Sequence, residues 1–201
     1  MSTGYTLADL IDFISHLPSV GPRTARKIAL SMIKNKSRLM DGFVAIINDI
    51  SSSIKQCEIC KNFDIVSPCA ICEHRSNATQ ICIVSDVDDL WNIEKSNAYH
   101  GLYYVLGGYL STSNAITPED LQIPKLCNMI SRVKPNEIIF ALGSTIAAQT
   151  TYYYVLEEIE SFITAQNMQV KITSLAFGIP MGSEIDYIDE GTISEAIKSR
   201  R

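Results

Sequence analysis

Four of the chain's six cysteines fall within 16 residues, as Cys57-x2-Cys60, then eight residues, then Cys69-x2-Cys72. Each C-x-x-C pair can bend two thiolates onto one ion, and four such sulfurs complete a tetrahedral Zn2+ shell. A catalytic zinc keeps one position open for water, so four thiolates predict a structural ion, one per chain. The loop between the pairs is polar, with Lys61, Asn62, Asp64, Ser67 and Pro68, and cannot bury a core by itself. Metal binding, worth on the order of 10 kcal/mol in structural zinc peptides, would supply the missing order. Two disulfides or a redox pair are the competing readings, and a cytosolic setting disfavours both. His74 is surplus to a complete four-thiolate set and is expected to face solvent. Cys82 and Cys127 lie alone in apolar runs and read as buried core thiols.

A second candidate is positive charge near the start of the chain. Residues 1–40 contain Arg23, Arg26, Lys27, Lys34, Lys36 and Arg38 against only Asp9 and Asp12, a local balance of +4. The whole chain has net charge −5, so the other 161 residues carry −9. A basic module on an acidic body suits a local anion site, although charge alone equally describes a solvated helix face. The run Leu17-Pro18-Ser19-Val20-Gly21-Pro22-Arg23-Thr24-Ala25-Arg26-Lys27-Ile28-Ala29 resembles a helix-hairpin-helix. A tight turn would expose N–H groups at the start of its second helix, where the dipole favours an anion. Arg23 and Lys27, four apart, share a face and could clasp a phosphate backbone, with Arg26 beside them. Such binding carries no base identity and weakens with salt. Ser19 stands where the motif usually has its first glycine, which leaves the turn geometry open, and a helix pair used for self-association is the other reading.

The elements that must carry these groups follow from hydrophobic period. Leu7, Leu10, Ile11 and Ile14 predict a first helix capped by Thr6, and Pro22 suits the first turn of a second. A third is expected from about Ser37 to Ile50, with Leu39, Phe43, Ile46, Ile47 and Ile50 buried. From Gln80 onward strands alternate with helices. Strands are expected over 81–84, 102–106, 137–141 and 170–175, and helices over 88–95, 121–133 and 150–162, with a last helix from Thr192. This pattern predicts a small, mainly parallel sheet covered on both faces. The fold class is therefore α/β with a helical N-terminal region and a small cysteine module. At 201 residues, 46% apolar and 19% charged, the composition is that of a soluble globular protein. No apolar run approaches the ~18 residues of a membrane span, and the first residues lack a signal-peptide pattern. A cytoplasmic location is expected.

Several separated stretches converge on one family. The hairpin, the four-cysteine module, Tyr104-Val105-Leu106-Gly107-Gly108-Tyr109-Leu110-Ser111, Thr117-Pro118-Glu119-Asp120, and Leu175-Ala176-Phe177-Gly178-Ile179-Pro180-Met181-Gly182 occur in the order found in the RecR family of bacterial recombination mediators, which the chain resembles over nearly its whole length. The resemblance implies a helix-hairpin-helix region (1–53), a zinc module (54–76), a Toprim-type α/β domain (77–177) and a C-terminal extension (178–201). It implies DNA binding without sequence specificity, with Arg23 and Lys27 at the family's DNA-contact positions and Cys57, Cys60, Cys69 and Cys72 at its zinc ligands. It further implies a ring-like oligomer, commonly tetrameric, and RecO and RecF as partners in loading RecA onto single strands coated by the single-strand-binding protein.

A Toprim domain also suggests an enzyme, since topoisomerases and primases use it to hold Mg2+, which demands hard oxygen ligands. Here Ser85 follows the first strand, where the family usually has glutamate. The stretch Leu142-Gly143-Ser144-Thr145-Ile146-Ala147-Ala148-Gln149 holds no acid, whereas relatives often place glutamates around Ala147 and Gln149. Asp86, Asp88 and Asp89 remain near the first strand's end, and the favoured reading has Asp88 and Asp89 opening the next helix. The sequence thus favours a mediator without catalysis, the alternative being a Mg2+-dependent nuclease or topoisomerase-like enzyme. Loss of the acids also places any RecO contact made through them in question. No P-loop is present, and Gly107-Gly108 reads as a turn. His16, His74 and His100 have no matched nucleophile. Tyr152-Tyr153-Tyr154 could stack on bases, but packing or surface explains most of that run. Glu184, Asp186, Asp189 and Glu190 read as a solvated acidic segment.

Overall fold

The structure is a computed structural model that describes residues 4–111, 116–176, 178–180 and 182–198. Phe177 and Met181 of the last family stretch lie outside the described residues, as do 1–3, 112–115 and 199–201. The chain divides into two compact units, residues 1–54 and 55–201.

In the first unit, α1 (Leu7–Ser15) opens on a capping box. Thr6 Oγ1 accepts from Asp9 N at 3.3 Å, while the Asp9 carboxylate accepts from Thr6 N at 2.6 Å. Helix α2 (Pro22–Lys34) starts with Pro22 in its first turn, as its sequence predicts. The two pack through Ile14, Ala25 and Ala29, with Leu10, Ile11, Val20 and Met32 around them. Small alanines let the helices approach closely, so the shared core is thin.

A π-helical turn (Lys36–Met40) then leads into α3 (Asp41–Ser53), where the expected burial fails. Leu39, Phe43, Ile46, Ile47 and Ile50 are 40% to 59% exposed, and α3 contains no buried residue. Helix α3 packs chiefly on the turn before it, so no element among the described residues of the unit covers its apolar stripe. Periodicity shows that a face is apolar; it does not say what covers it.

The second unit begins with a two-stranded antiparallel ribbon, β1 (Lys55–Gln56) and β2 (Phe63–Asp64), followed by the short helix α4 (Ala70–His74). Four parallel strands follow: β3 (Gln80–Val84), β4 (Leu102–Val105), β5 (Glu137–Ala141) and β6 (Lys171–Ser174), in the order β4-β3-β5-β6. Between them run α5 (Val87–Ser96), α6 (Ile123–Val133) and α7 (Ile146–Ala165). Strand residues alternate between two cores, as the pleat requires. Ile81, Ile83, Leu102, Tyr104, Ile138 and Phe140 face α6 and α7, and the four cysteines join that cluster. Cys82, Val84, Tyr103, Val105 and Ala141 pack with Val87 and Leu90 of α5 on the other face. Both faces are thus covered, and the sheet matches the expected α/β layering.

Beyond the sheet, α8 (Glu190–Lys198) begins two residues before the expected Thr192. Asp189 caps it, accepting from Thr192 N at 3.0 Å and Thr192 Oγ1 at 2.7 Å. Part of the acidic segment therefore serves local structure.

Candidate metal centre and nucleic-acid interface

The cysteine module is built by two turns that face each other. In the β1–β2 turn, Cys57 N donates to Asn62 O at 2.7 Å and Lys61 N to Cys57 O at 3.0 Å, which folds Cys57 and Cys60 together. Lys61 takes φ +68°, a left-handed conformation unusual for a side-chain-bearing residue. On the opposite side, Cys69 caps α4 and Cys72 lies within it. The Asp64 carboxylate braces the loop by accepting from Ile65 N at 2.7 Å and Ala70 N at 2.9 Å.

The four Sγ atoms lie within 4.8 Å of one another and all four cysteines are buried. Cys60 and Cys69 are 3.5 Å apart, Cys57 and Cys72 4.0 Å. Tetrahedral metal–sulfur bonds of about 2.3 Å would set sulfurs roughly 3.8 Å apart, so this donor set fits a thiolate-bound ion. All six cysteines are free thiols, unlike the disulfide reading. Thiols alone share protons unevenly here. The hydrogen bond with Cys60 pulls Cys69 well below the ordinary thiol range and holds Cys60 above it, while bonds to Cys60 and Cys69 raise Cys72. Four thiolates could coexist only around a cation. His74 is exposed, outside the set.

This module is fused to the sheet. Val105 N donates to Cys60 O at 2.9 Å. Lys61, only 4% exposed, extends inward and donates through Nζ to Leu106 O at 2.6 Å and Asp120 O at 3.0 Å, with the Tyr104 ring 5.9 Å away. By sequence Lys61 belongs to a polar loop, and no signal there marks it as buried. Arg75, just past α4, forms a bidentate pair with Glu94 of α5 at 2.8 and 2.7 Å and donates to Gly101 O at 3.0 Å. Tyr103 Oη adds a third bond to Glu94 at 2.7 Å. Burial alone would raise the Glu94 carboxyl, but Arg75 and Tyr103 outweigh it and hold the group below its ordinary range.

In the N-terminal unit Ser19 takes φ +63°, so serine occupies the left-handed turn position usually given to glycine. Gly21 caps α2 at φ −79° with no side-chain hydrogen bond, and a Cβ there would meet nothing within 4 Å. Ala25 N donates to Gly21 O at 2.9 Å. Among the described residues no acceptor satisfies the N–H groups of Arg23 and Thr24, which open the helix. Arg23, Arg26 and Lys27 are all exposed and form no ion pair among the described residues. At about 100° per residue, Arg23 and Lys27 lie some 40° apart on a face opposite the Ala25–Ala29 contact with α1. The turn therefore presents cations and free N–H groups together.

At the strand ends, Ser85 Oγ donates to Asp89, and Asp86 caps α5 by accepting from Val87 N at 2.7 Å. Asp89 completes the capping box from the helix's first turn. Gly107 and Gly108, at φ +94° and +136°, donate to Ser85 O at 2.9 Å each, and a Cβ on Gly108 would meet Ile116 at 2.4 Å. Gly107-Gly108 therefore makes a tight turn. After β5, Gly143 N donates to Tyr109 Oη at 2.9 Å and Thr145 caps α7. Among the described residues the cysteines are the only group of three or more suitable side chains close enough to share a metal.

The remaining sequence candidates are accounted for by packing or exposure. Cys82 is buried, and burial pushes its thiol up to about 12. Cys127 is only half-buried, unlike the expected core position, because it sits at the flank of α6. Tyr152 packs edge-on against Phe140 at 4.8 Å, leaving Tyr153 exposed. His16 bonds the Asp12 carbonyl oxygen through Nδ1 at 2.8 Å. No helix among the described residues is long and apolar enough to cross a membrane.

Comparison with known proteins covers the whole chain. A family model for the Toprim domain matches residues 79–176, and a model described as RecR, C-terminal, matches residues 178–201. The chain is 39% identical over 201 residues to "Recombination protein RecR" of Hyphomonas neptunium, spanning 100% of this chain and 97% of that one. The protein of the same name from Anaplasma phagocytophilum is 40% identical over 195 residues, 96% of this chain and 97% of its own. That from Sinorhizobium medicae is 37% identical over 199 residues, 98% and 96% of the two chains.

Proposed function

This chain belongs to the RecR family of recombination proteins, and from that premise we propose that it serves DNA repair as a recombination mediator that binds DNA and carries out no chemistry itself. The observation that carries the reading is the hairpin, where Arg23, Arg26 and Lys27 have no ion-pair partner among the described residues and stand beside N–H groups with no acceptor there. Phosphate oxygens satisfy both kinds of donor, and neither reads a base, so DNA of any sequence is accepted. Each neutralised phosphate releases counterions, which makes the affinity fall steeply with salt. In the cysteine module the ion is Zn2+, held structurally, one per chain. Thiolate sulfur and tetrahedral spacing suit zinc, and a closed shell leaves no position for substrate.

Two further features support the absence of catalysis. Asp86 and Asp89 already cap α5, and the β5 exit offers hydroxyl, amide and backbone groups in place of the acids that would hold Mg2+. The stripe of Leu39, Phe43, Ile46, Ile47 and Ile50 supports self-association, for which the family suggests a ring-like tetramer in the cytoplasm. RecO and RecF are the partners the family implies, acting with this chain to load RecA on strands coated by the single-strand-binding protein. The Arg23→Glu/Lys27→Glu double variant tests the assignment in a low-salt binding assay with labelled single-stranded DNA. Loss of binding is expected; undiminished affinity would remove the hairpin from the interface. Incubation with supercoiled DNA and Mg2+ should yield neither nicked nor relaxed product, and either product would establish the enzymatic alternative.

A further inference from the structure

Residues 55–201 are acidic, with eleven Lys and Arg against eighteen Asp and Glu, yet one stretch departs from that balance. From Leu121 to Asn136 there is no acid, and Lys125, Arg132 and Lys134 are all present. Lys125, Asn128 and Arg132 recur at helical spacing and therefore share one face of α6. That face lines a hollow of about 390 Å3 shared with Glu58 and Ile59 of the cysteine module. A second hollow of about 300 Å3 shares Ile59 and Arg132 and adds Ser76. Arg132 thus stands where two adjoining hollows meet. Neither Lys125 nor Arg132 has a carboxylate within ion-pair distance among the described residues, and the Arg132 guanidinium makes no hydrogen bond there.

The helix itself does not explain both cations. Arg132 and Lys134 sit at the C-terminal end of α6, where the dipole favours positive charge. Lys125 sits in the first turn, where the dipole opposes it. We propose that the groove between α6 and the cysteine module is a second DNA-backbone site, in which Arg132 and Lys125 each take a phosphodiester and Asn128 and Ser76 donate to the same strand. Seven residues at 1.5 Å separate the two cations by about 10 Å along the axis. A stacked strand rises about 3.4 Å per nucleotide, so that span reaches phosphates about three steps apart. The guanidinium's fork takes phosphate and carboxylate oxygens alike, so what favours DNA over an acidic polypeptide is this match between the cation spacing and the phosphate repeat of a stacked strand. Glu58 lies at the edge of the groove and opposes any anion; it is exposed and forms no ion pair with either cation.

This site rests on the DNA-binding reading above, and one salt titration separates the two. Binding of a labelled, unstructured oligonucleotide is measured against salt for the full-length protein, Arg23→Glu/Lys27→Glu, Lys125→Gln/Arg132→Gln, Arg132→Lys and Glu58→Gln, after metal content and thermal midpoint show each variant folded. A single-strand contact contributes about 0.7 to the slope of log K against log salt, so Lys125→Gln/Arg132→Gln should flatten it by about 1.4. Arg132→Lys should keep the slope and lose only affinity, while Glu58→Gln should bind more tightly. A wild-type slope in Lys125→Gln/Arg132→Gln overturns the groove and leaves the hairpin standing, whether or not poly-glutamate competes there. Absence of binding by the unaltered protein at every salt overturns both.

Discussion

Replacing Lys61 with methionine isolates the joint between the cysteine module and the sheet. Methionine retains a flexible apolar stem of similar length and loses only the ammonium group. Two carbonyls, Leu106 O and Asp120 O, then lose a charged donor at 2.6 and 3.0 Å. A hydrogen bond to a charged group contributes about 1.5–3 kcal/mol. Against this, removing a cation that burial already disfavours recovers part of its desolvation cost, and burial is the leading cause of its lowered pKa. The balance is a loss of about 2–3 kcal/mol. At ~2–4 °C per kcal/mol for a chain of this size, the thermal midpoint should fall by about 5–10 °C. Differential scanning calorimetry reads the midpoint, and metal analysis should still find one ion per chain because no sulfur ligand is touched. An unchanged midpoint would refute the claim that this lysine holds the two parts together.

Four other outcomes follow from the same structure. Cys60→Ser should abolish stoichiometric metal retention and destabilise residues 55–201, seen as lost metal and increased proteolysis, because an incomplete thiolate shell no longer compensates for the polar loop. Ser19→Gly should raise stability by about 0.5–1 kcal/mol in denaturant titration, by relieving a left-handed serine at φ +63°. Ile47→Asp on the exposed stripe of α3 should reduce the solution mass toward that of a monomer by light scattering, with helix content retained. Glu94 has a folded pKa below its unfolded value, so its contribution is complete above about pH 4.5 and is lost as pH falls through the folded value. Glu94→Gln should be less stable at neutral pH and show a shallower acid limb in unfolding measured from pH 6 to 3.

Chemistry that depends on local spacing was legible in the sequence. Two C-x-x-C pairs need only short turns to converge, and the turns supply the geometry whatever surrounds them. Alternating strands and helices from Gln80 onward followed from hydrophobic period, with ends displaced by a few residues where caps decide them, as at Thr145 and Asp189. What stayed hidden depends on tertiary partners. Lys61 reads as a loop cation, and only the carbonyls of residues far along the chain make it a buried donor. The α3 stripe reads as core, because an apolar face has the same period whether or not the rest of the chain covers it. Ser19 leaves the turn undecided in sequence, since a serine can adopt positive φ at a cost that pattern alone does not reveal.

The most direct measurement is the affinity of the intact, metal-loaded protein for two unrelated single-stranded oligonucleotides across a salt series, with Mg2+ present and the DNA recovered afterwards. The predicted result is two coincident, steeply falling lines and DNA of unaltered length. Binding indifferent to salt, a marked preference for one sequence, or shortened DNA would contradict a mediator that grips phosphate and leaves the strand intact.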